Sequence, residues 1–199
     1  MKLYYSRGAC SFAPHIVAEE AGIPLELISV DLKTKKTSDG RDFTSINEKG
    51  YVPALELDDG RMLTEGPAVA QYLADLKPEK NLLPKCGTYE RAKVQEWLNF
   101  IATEIHKGFG PLFYPNSTEQ EKEDAKTKLL KRFSLVEEAL GEHEYLASNS
   151  FTVADAYLFT VLQWCPYLKF DISEFSKIDA YNKKIMTRDS VKKALANEK

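Results

Sequence analysis

The pattern of hydrophobic residues changes near residue 77, and no other feature constrains the fold of this 199-residue chain as strongly. Before that point, short alternating segments interleave with segments of helical spacing. After it, strand patterns vanish and helical spacing dominates. The stretch from Lys77 to Gly87 holds Pro78 and Pro84 among polar residues, which predicts a linker. We therefore expect a mixed α/β domain over residues 1–80 and an all-helical domain over residues 87–199.

Within the first part, the pattern predicts a βαβ unit, a short helix, a hairpin and a further helix. The predicted elements are a strand at 2–5, a helix at 11–21, a strand at 25–30, a short irregular helix ending at Gly50, a hairpin over 54–63 and a helix opening at 65–67. Gly22 and Pro24 end the first helix, and Asp58-Asp59-Gly60 makes the hairpin turn. The order βαβ, αββα is typical of thioredoxin-like domains.

The second part predicts three longer helices, from Arg91 to His106, from Glu119 to Gly141 and from Val153 to Leu162, with two short amphipathic helices after Ser173. In the first of these, Asn99, Thr103 and His106 fall on the face opposite the apolar residues, as expected for a solvated surface. The third is almost wholly apolar and so is predicted to be buried. Thr152 and Asp155 at its start form a predicted capping box, which is a folding signal without chemistry.

Composition excludes several classes of function. A net charge of −3 and a pI near 5.7 argue against binding nucleic acid or an anionic lipid surface. No apolar run approaches the length of a membrane span, and the first thirty residues lack a secretory signal pattern. The three cysteines are widely spaced, which matches neither a disulfide framework nor a metal site and suits a reducing compartment. We therefore expect a cytoplasmic protein without a metal, and find no nucleotide-binding motif.

Cys10 is the most informative single residue. It follows the first predicted strand and a turn, and it precedes the helix that begins near Ser11. A thiol at such a junction meets the positive end of the helix dipole, where bare N–H groups favour a thiolate. Redox sites of the thioredoxin type place the first cysteine of a C-x-x-C pair there, but Ala13 stands where the second would be. The position indicates a site that holds or meets one sulfur.

Three further features suit a peptide-like ligand. A cis proline in Val52-Pro53, just before a strand, would leave the Val52 backbone free to pair with a peptide. Glu65 and Gly66 at a helix start suit the ammonium and carboxylate of an amino acid, and Lys35 suits a second carboxylate. Each alone has a common structural explanation, a helix-stabilising glutamate or a solvated lysine. Together they describe a ligand with a sulfur, a peptide bond and charged ends, which glutathione fits.

Four ordered motifs closely resemble those of the bacterial beta-class glutathione S-transferases. The motifs are Leu3-Tyr4-Tyr5 with Gly8-Ala9-Cys10-Ser11, Asn47-Glu48-Lys49-Gly50-Tyr51-Val52-Pro53-Ala54-Leu55, Leu63-Thr64-Glu65-Gly66-Pro67-Ala68, and Thr152-Val153-Ala154-Asp155. The resemblance covers essentially the whole chain. It implies a thioredoxin-like N-terminal domain on an all-helical C-terminal domain, assembled as a homodimer, with glutathione as co-substrate and no covalently bound cofactor.

The resemblance also implies which residues form the site. Cys10 would contact the glutathione sulfur and be able to form a mixed disulfide with it. The implied glutathione contacts are Cys10, Lys35, Val52, Pro53, Glu65, Gly66, Asn99, Thr103, Glu104, Ile105 and His106. The aromatic candidates for an electrophile pocket are Tyr5, Phe109, Phe113, Tyr114 and Trp164, with Tyr167 nearby. His106 would either supply a proton or make a structural hydrogen bond, and Cys10, Ser11 and Tyr5 remain alternative activators of the thiol.

We therefore expect a transferase that conjugates glutathione to small hydrophobic electrophiles in detoxification. One alternative is a glutaredoxin-like thiol reductase, because a single cysteine that accepts glutathione by exchange is competent for deglutathionylation. Another is a non-catalytic adaptor of the same fold. Retention of Cys10, Pro53, Glu65 and His106 argues against the adaptor.

Overall fold

The computed structural model describes residues 1–198, and its N-terminal part is built on one five-stranded sheet. The strands are β1 Lys2–Tyr5, β2 Glu26–Asp31, β3 Lys36–Thr37, β4 Ala54–Glu56 and β5 Met62–Thr64. They lie in the order β3-β2-β1-β4-β5. The pair β1–β2 is parallel, and the other three pairs are antiparallel. This topology confirms the predicted thioredoxin-like arrangement.

Helices make up most of the rest. They are α1 Phe12–Ala21, α2 Gly66–Asp75, α3 Tyr89–Phe100, α4 Gly110–Phe113, α5 Glu119–Glu142, α6 Val153–Leu162, α7 Trp164–Tyr167, α8 Ser176–Met186 and α9 Asp189–Asn197. Three 3₁₀ turns lie at Phe43–Ser45, Pro78–Lys80 and Lys107–Phe109. No helix within residues 1–198 is both long and apolar enough to cross a bilayer.

The helix predicted from Arg91 to His106 ends early, because its last part is not α-helical. After Phe100 the chain continues as a π-helix over Ile101–His106. A π-helix turns by less than 100° per residue, so the side chains beyond residue 100 do not lie where an α-helical projection puts them. Such segments are frequent at functional sites, and this one carries four of the predicted site residues.

Helix α6 is the centre of the molecule. All ten of its residues are buried, as its uninterrupted apolar sequence predicts. It packs against α1 and α2 of the N-terminal part and against α3 of the C-terminal part, so both parts share one hydrophobic core. The segment predicted as a linker also contributes, since Leu82 and Leu83 are buried and the Val153 N–H donates to the Leu82 carbonyl at 3.0 Å.

The predicted capping box of α6 is present and wholly buried. One oxygen of Asp155 accepts from the Thr152 N–H at 2.8 Å and from the Thr152 hydroxyl at 2.9 Å. The other accepts from the Leu146 N–H and the Tyr181 hydroxyl, both at 2.9 Å. Asp155 therefore fixes the start of α6, the segment before it and helix α8 together.

We predict that Asp155→Ala lowers the free energy of unfolding by about 3 kcal/mol or more, because it leaves several buried donors without an acceptor. The matched control is Thr118→Ala in the capping box of α5, which is formed in the same way but is exposed. That variant should lose only about 1 kcal/mol. Equilibrium urea denaturation measures both values, and equal losses would contradict the role given to Asp155.

Candidate active site

Cys10 lies in the turn between β1 and α1, half-buried. Its Sγ donates a hydrogen bond to the Val52 carbonyl at 3.3 Å. The turn is shaped by Gly8, whose φ of +74° lies in the left-handed region that glycine adopts without strain. The Gly8 carbonyl accepts a hydrogen bond from Trp164 Nε1 at 2.8 Å, so the C-terminal part holds the loop that carries the thiol.

The start of α1 favours ionisation of Cys10, as the sequence indicated, but burial opposes it. Burial raises the pKa of Cys10 from 9.0 to about 11. The backbone N–H groups of Cys10 and Ser11 and the charge of Lys107 lower that pKa, but the loss of hydration outweighs them. Cys10 is therefore a neutral thiol near pH 7, and it acts as a hydrogen-bond donor.

Two of the alternative activators of the thiol, Ser11 and Tyr5, are buried. Ser11 is fully buried, and its hydroxyl accepts from the Ser6 N–H at 3.2 Å and donates to the Ser6 carbonyl at 3.3 Å. The hydroxyl therefore stabilises the turn rather than facing a ligand. Tyr5 is buried in the main hydrophobic core, which corrects its assignment to the electrophile pocket.

The Val52-Pro53 peptide bond is cis, as predicted. Val52 lies outside the strands, and among residues 1–198 its backbone N–H donates to no other group. Its carbonyl accepts from the Cys10 thiol alone within the same part of the chain. An unpaired stretch of backbone thus lies directly beside the sulfur, open to a peptide that docks in extended form.

Glu65 and Gly66 stand at the start of α2. Glu65 has a φ of +72°, unusual for a residue with a side chain and typical of a functional position. Its exposed carboxylate accepts from Lys49 Nζ at 3.1 Å. A Cβ at Gly66 would lie 3.9 Å from Pro53 Cγ, an ordinary contact, so the position tolerates a small side chain. The first-turn N–H groups of α2 are available to a carboxylate.

Lys35 is held near the same backbone. Its Nζ donates to the Gly50 carbonyl at 2.9 Å and lies 5.6 Å from the centre of the Tyr51 ring. Gly50 is two residues before Val52 in the chain. Cys10 follows β1, Val52 precedes β4 and Lys35 precedes β3, so all three lie at the same end of the N-terminal sheet.

His106 comes from the π-helix and meets α6. Its Nδ1 lies 2.6 Å from the Tyr157 hydroxyl, and its ring lies 4.8 Å from the Trp164 ring. Burial, followed by the charge of Lys107, lowers the pKa of His106 from 6.5 to about 4. Burial also raises the pKa of Tyr157 far above its usual 10. Both groups are therefore neutral near pH 7.

The charges around these groups show which of them share one site. The charges of Lys107 and Glu65 act on the pKa of both Cys10 and His106. The Glu65 carboxylate raises the pKa of Tyr157, as a thiolate at Cys10 would. Residues from the loop after β1, from the start of α2, from the π-helix and from α6 are thus within electrostatic reach of one another.

Other predicted residues make no hydrogen bond to this cluster. The Thr103 hydroxyl donates to the Asn99 carbonyl of its own helix at 3.0 Å, and Glu104 pairs with Arg132 of α5 at 2.7 Å. The Ile105 side chain is fully buried, so it offers a ligand no side-chain contact. Asn99 is exposed. The glutathione contacts expected of Glu104 and Ile105 stay predictions.

The aromatic candidates divide into core and surface. Phe109 is fully buried and packs against the Phe133 and Trp164 rings, which corrects its assignment as a substrate contact. Phe113 is 42% exposed, and its ring stacks on that of Tyr167, which is 78% exposed, at 6.3 Å. The Phe113 ring also meets the edge of Trp164 at 5.4 Å. Tyr114 is likewise exposed.

Sequence reasoning missed three residues of the cluster. Tyr157 was hidden in an apolar helix, and its single hydroxyl was the only available signal. Lys107 directly follows His106, so a cation beside that ring was visible in the sequence. Lys49 lies inside a quoted motif, yet nothing in the sequence showed that it reaches Glu65.

Comparison with known proteins agrees with the fold. Residues 8–76 match the family "Glutathione S-transferase, N-terminal domain", and residues 100–189 match "Glutathione S-transferase, C-terminal domain". The chain therefore belongs to the glutathione S-transferase family. Its resemblance to the bacterial beta class is confirmed by the relatives described next.

The glutathione S-transferase GstA of Escherichia coli O157:H7 is 46% identical over 198 residues, covering 100% of this chain and 98% of the relative. The structure of a sphingomonad glutathione S-transferase complexed with glutathione has a TM-score of 0.96 at 40% identity, covering 100% of this chain and 98% of that one. The beta-class glutathione S-transferase of Sphingomonas chungbukensis has a TM-score of 0.96 at 42% identity, with the same coverage.

We predict that alkylation of Cys10 by iodoacetamide accelerates about tenfold per pH unit from pH 7 to near pH 10, because only the thiolate reacts and its fraction grows until the pKa near 11 is reached. A Cys86→Ser background removes the exposed thiol, and peptide mapping identifies the modified residue. A rate that levels off below pH 8 would show that Cys10 is already ionised at neutral pH.

We predict a pH-dependent loss of stability from His106. Its folded pKa of about 4 lies below the usual 6.5, so between these values the unfolded chain binds a proton that the folded protein does not. The free energy of unfolding that depends on His106 is therefore fully present above pH 6.5. It falls by roughly 3 kcal/mol as the pH drops from 6.5 toward 4. Urea denaturation of wild type and His106→Gln at both pH values measures it. The wild type should lose more stability than the variant, and parallel losses would refute the assignment.

Proposed function

We propose that this glutathione S-transferase activates glutathione at the Cys10 loop and directs its sulfur at small hydrophobic electrophiles, in detoxification. The observation that carries the proposal is the unpaired Val52 backbone lying against the Cys10 thiol. A tripeptide that pairs with this backbone would place a cysteinyl sulfur beside Cys10.

The ends of the tripeptide have partners at suitable positions. The γ-glutamyl end carries an ammonium and a carboxylate, which suit the Glu65 side chain and the N–H groups at Gly66 and the start of α2. The glycyl carboxylate suits Lys35, whose ammonium is held near Gly50. Asn99 and Thr103 are exposed on the neighbouring helix, where their backbone and side chains offer further contacts.

The thiolate of glutathione would be stabilised by neutral donors. Each unit by which its pKa falls requires about 1.4 kcal/mol of preference for the anion. The backbone N–H groups of Cys10 and Ser11 at the start of α1 supply one part, and the Cys10 S–H supplies another when it turns from the Val52 carbonyl to the incoming sulfur. Because the pKa of Cys10 is raised, this donor keeps its proton at neutral pH.

His106 would complete the donor set. The Tyr157 hydroxyl remains protonated and lies 2.6 Å from His106 Nδ1. In this scheme the hydroxyl donates to Nδ1, which leaves the hydrogen of the neutral ring on Nε2. The Nε2–H then serves as a donor toward the sulfur or the leaving group. Tyr157 is a positioning residue in this scheme, because it fixes the tautomer and the ring orientation of His106.

The electrophile would bind on the exposed aromatic surface of Phe113, Tyr114 and Tyr167, which Trp164 connects to the thiol loop. Trp164 contacts both the Gly8 carbonyl and the Phe113 ring. Exposed aromatic rings next to a nucleophile suit an apolar acceptor, which buries its surface on them. A bound glutathione and this surface would thus flank the same loop.

Cys10→Ala tests the role of the sulfur. We predict that conjugation of 1-chloro-2,4-dinitrobenzene survives with kcat/KM lowered by about tenfold or less, because the variant loses one hydrogen bond and keeps the backbone donors. Cys10→Ser, which keeps a donor, should lose less. Reduction of a mixed disulfide should disappear in both variants. Loss of conjugation by three orders of magnitude in both would make Cys10 the obligatory reacting group.

Activity and glutathione-binding measurements on the wild-type protein distinguish the transferase from the thiol reductase and the adaptor. If the wild type reduces mixed disulfides but conjugates no electrophile, the reductase is correct. If it neither binds immobilised glutathione nor turns over any electrophile, the adaptor is correct. The unpaired Val52 backbone favours the transferase over the adaptor, because a partner-binding protein has no use for a peptide-pairing edge beside a thiol.

We propose further that the protein is a homodimer of the cytoplasm. The three cysteines are free, as suits a reducing compartment. Trp97 and Phe100 of α3 and Leu135 and Ala139 of α5 line a groove of about 340 Å³ that a second copy would cover. Glu96 and Glu138 flank it.

Light scattering should give twice the chain mass of 22.5 kDa. Leu135→Glu adds a charge to the groove and should give a monomer. The matched control is Leu195→Glu in α9, since the two leucines are 46% and 45% exposed. A wild-type monomer, or equal behaviour of the two variants, would contradict the interface.

A further inference from the structure

A cavity of about 340 Å³ opens beside the C-terminal half of α1, whereas Cys10 lies at the other end of that helix. Its polar wall is formed by His15, Glu19 and Asn197, and its apolar wall includes Ile23, Leu25 and Leu27. None of these residues belongs to the proposed glutathione site. Asn197 is part of α9, so the two parts of the protein both contribute to the cavity.

His15 presents an unusual ring nitrogen to this cavity. The residue is 98% buried, with a relative exposure of 2%. Its Nδ1 lies 3.1 Å from a Glu198 oxygen, and because a carboxylate only accepts, Nδ1 carries the hydrogen. Its Nε2 lies 3.8 Å from a Glu19 oxygen, too far for a hydrogen bond, and bonds to no other group within residues 1–198.

In the neutral ring, Nε2 is therefore an acceptor, and it stands next to a second acceptor on Glu19. Two acceptors at this separation repel each other and lack a donor between them. The Asn197 amide donates to the same Glu19 oxygen at 3.2 Å and makes no hydrogen bond to His15. A group with several N–H donors would satisfy both acceptors at once.

The carboxylates near the cavity also favour a ligand with N–H donors. Glu19 and Glu198 are both carboxylates, and within the described chain neither is paired with a lysine or arginine. The adjacent Glu20 is already paired with Arg188 at 2.6 Å and accepts from Ser190 at 2.7 Å. The polar wall thus has an excess of negative charge, which favours a cation over a neutral or anionic ligand.

We propose that this cavity binds a primary amine with an apolar body. The ammonium donates to Glu19 and to His15 Nε2, and the apolar body packs against Ile23, Leu25 and Leu27. An alcohol supplies one donor and no charge, and a carboxylate is repelled by Glu19. Because the walls come from α1, β2 and α9, the bound amine stabilises the contact between the two parts of the protein.

The test uses n-hexylamine, 1-hexanol and hexanoate with the full-length wild-type protein, followed by backbone amide NMR shifts and by thermal unfolding. Hexylamine should shift the amides of Gly22, Ile23 and Leu25 and raise Tm, and it should bind at least about tenfold more tightly than 1-hexanol or hexanoate. Glu19→Gln should weaken hexylamine by a similar factor. Glu174→Gln, an exposed glutamate that does not line the cavity, should leave binding unchanged.

A second variant, Leu25→Trp, fills the apolar wall without changing charge and should abolish the shifts at Gly22 and Ile23. The proposal is overturned if 1-hexanol binds as tightly as hexylamine, if the shifts fall on Val52 and Glu65 instead, or if Glu19→Gln binds hexylamine like the wild type. Glutathione conjugation, measured in parallel, reports separately on the active site.

Discussion

The packing of α1 against α6 is the contact on which the active site depends. Helix α1 carries the Cys10 loop at its N-terminal end, and α6 carries Tyr157, which meets His106. The two helices meet through the Phe12 and Phe159 rings, 6.5 Å apart. Because α6 is fully buried and its start is fixed by Asp155, the position of His106 relative to the sulfur site is set by the core and not by a surface loop.

The electrostatics of the site follow from a competition between burial and dipoles. The start of α1 lowers the pKa of a nearby sulfur, yet burial raises the pKa of Cys10 more, and the result is about 11. The same balance holds His106 neutral, because its burial is not offset by an adjacent carboxylate. The sequence indicated that the start of α1 lowers the pKa of Cys10, and it does. It did not show that burial makes the net shift of that pKa upward.

The fold was predictable because its signals are local or periodic. The alternating strands, Gly22 at the end of α1, the hairpin turn and the apolar run of α6 each specify their own structure. The placement of Val52, Lys35 and Glu65 followed from the motifs and their resemblance to a family. What failed depended on distant packing: the π-helix at Ile101–His106, the burial of Phe109 and the pairing of Glu104 with Arg132.

A site made of neutral donors has a consequence for catalysis. Cys10, His106 and Tyr157 carry no charge near neutral pH, so the only sulfur anion that they stabilise is one that a ligand brings. A permanently ionised Cys10 would repel the glutathione thiolate across a short distance, whereas a neutral thiol donates to it. The raised pKa of Cys10 therefore suits its proposed role, in which it assists a substrate thiolate.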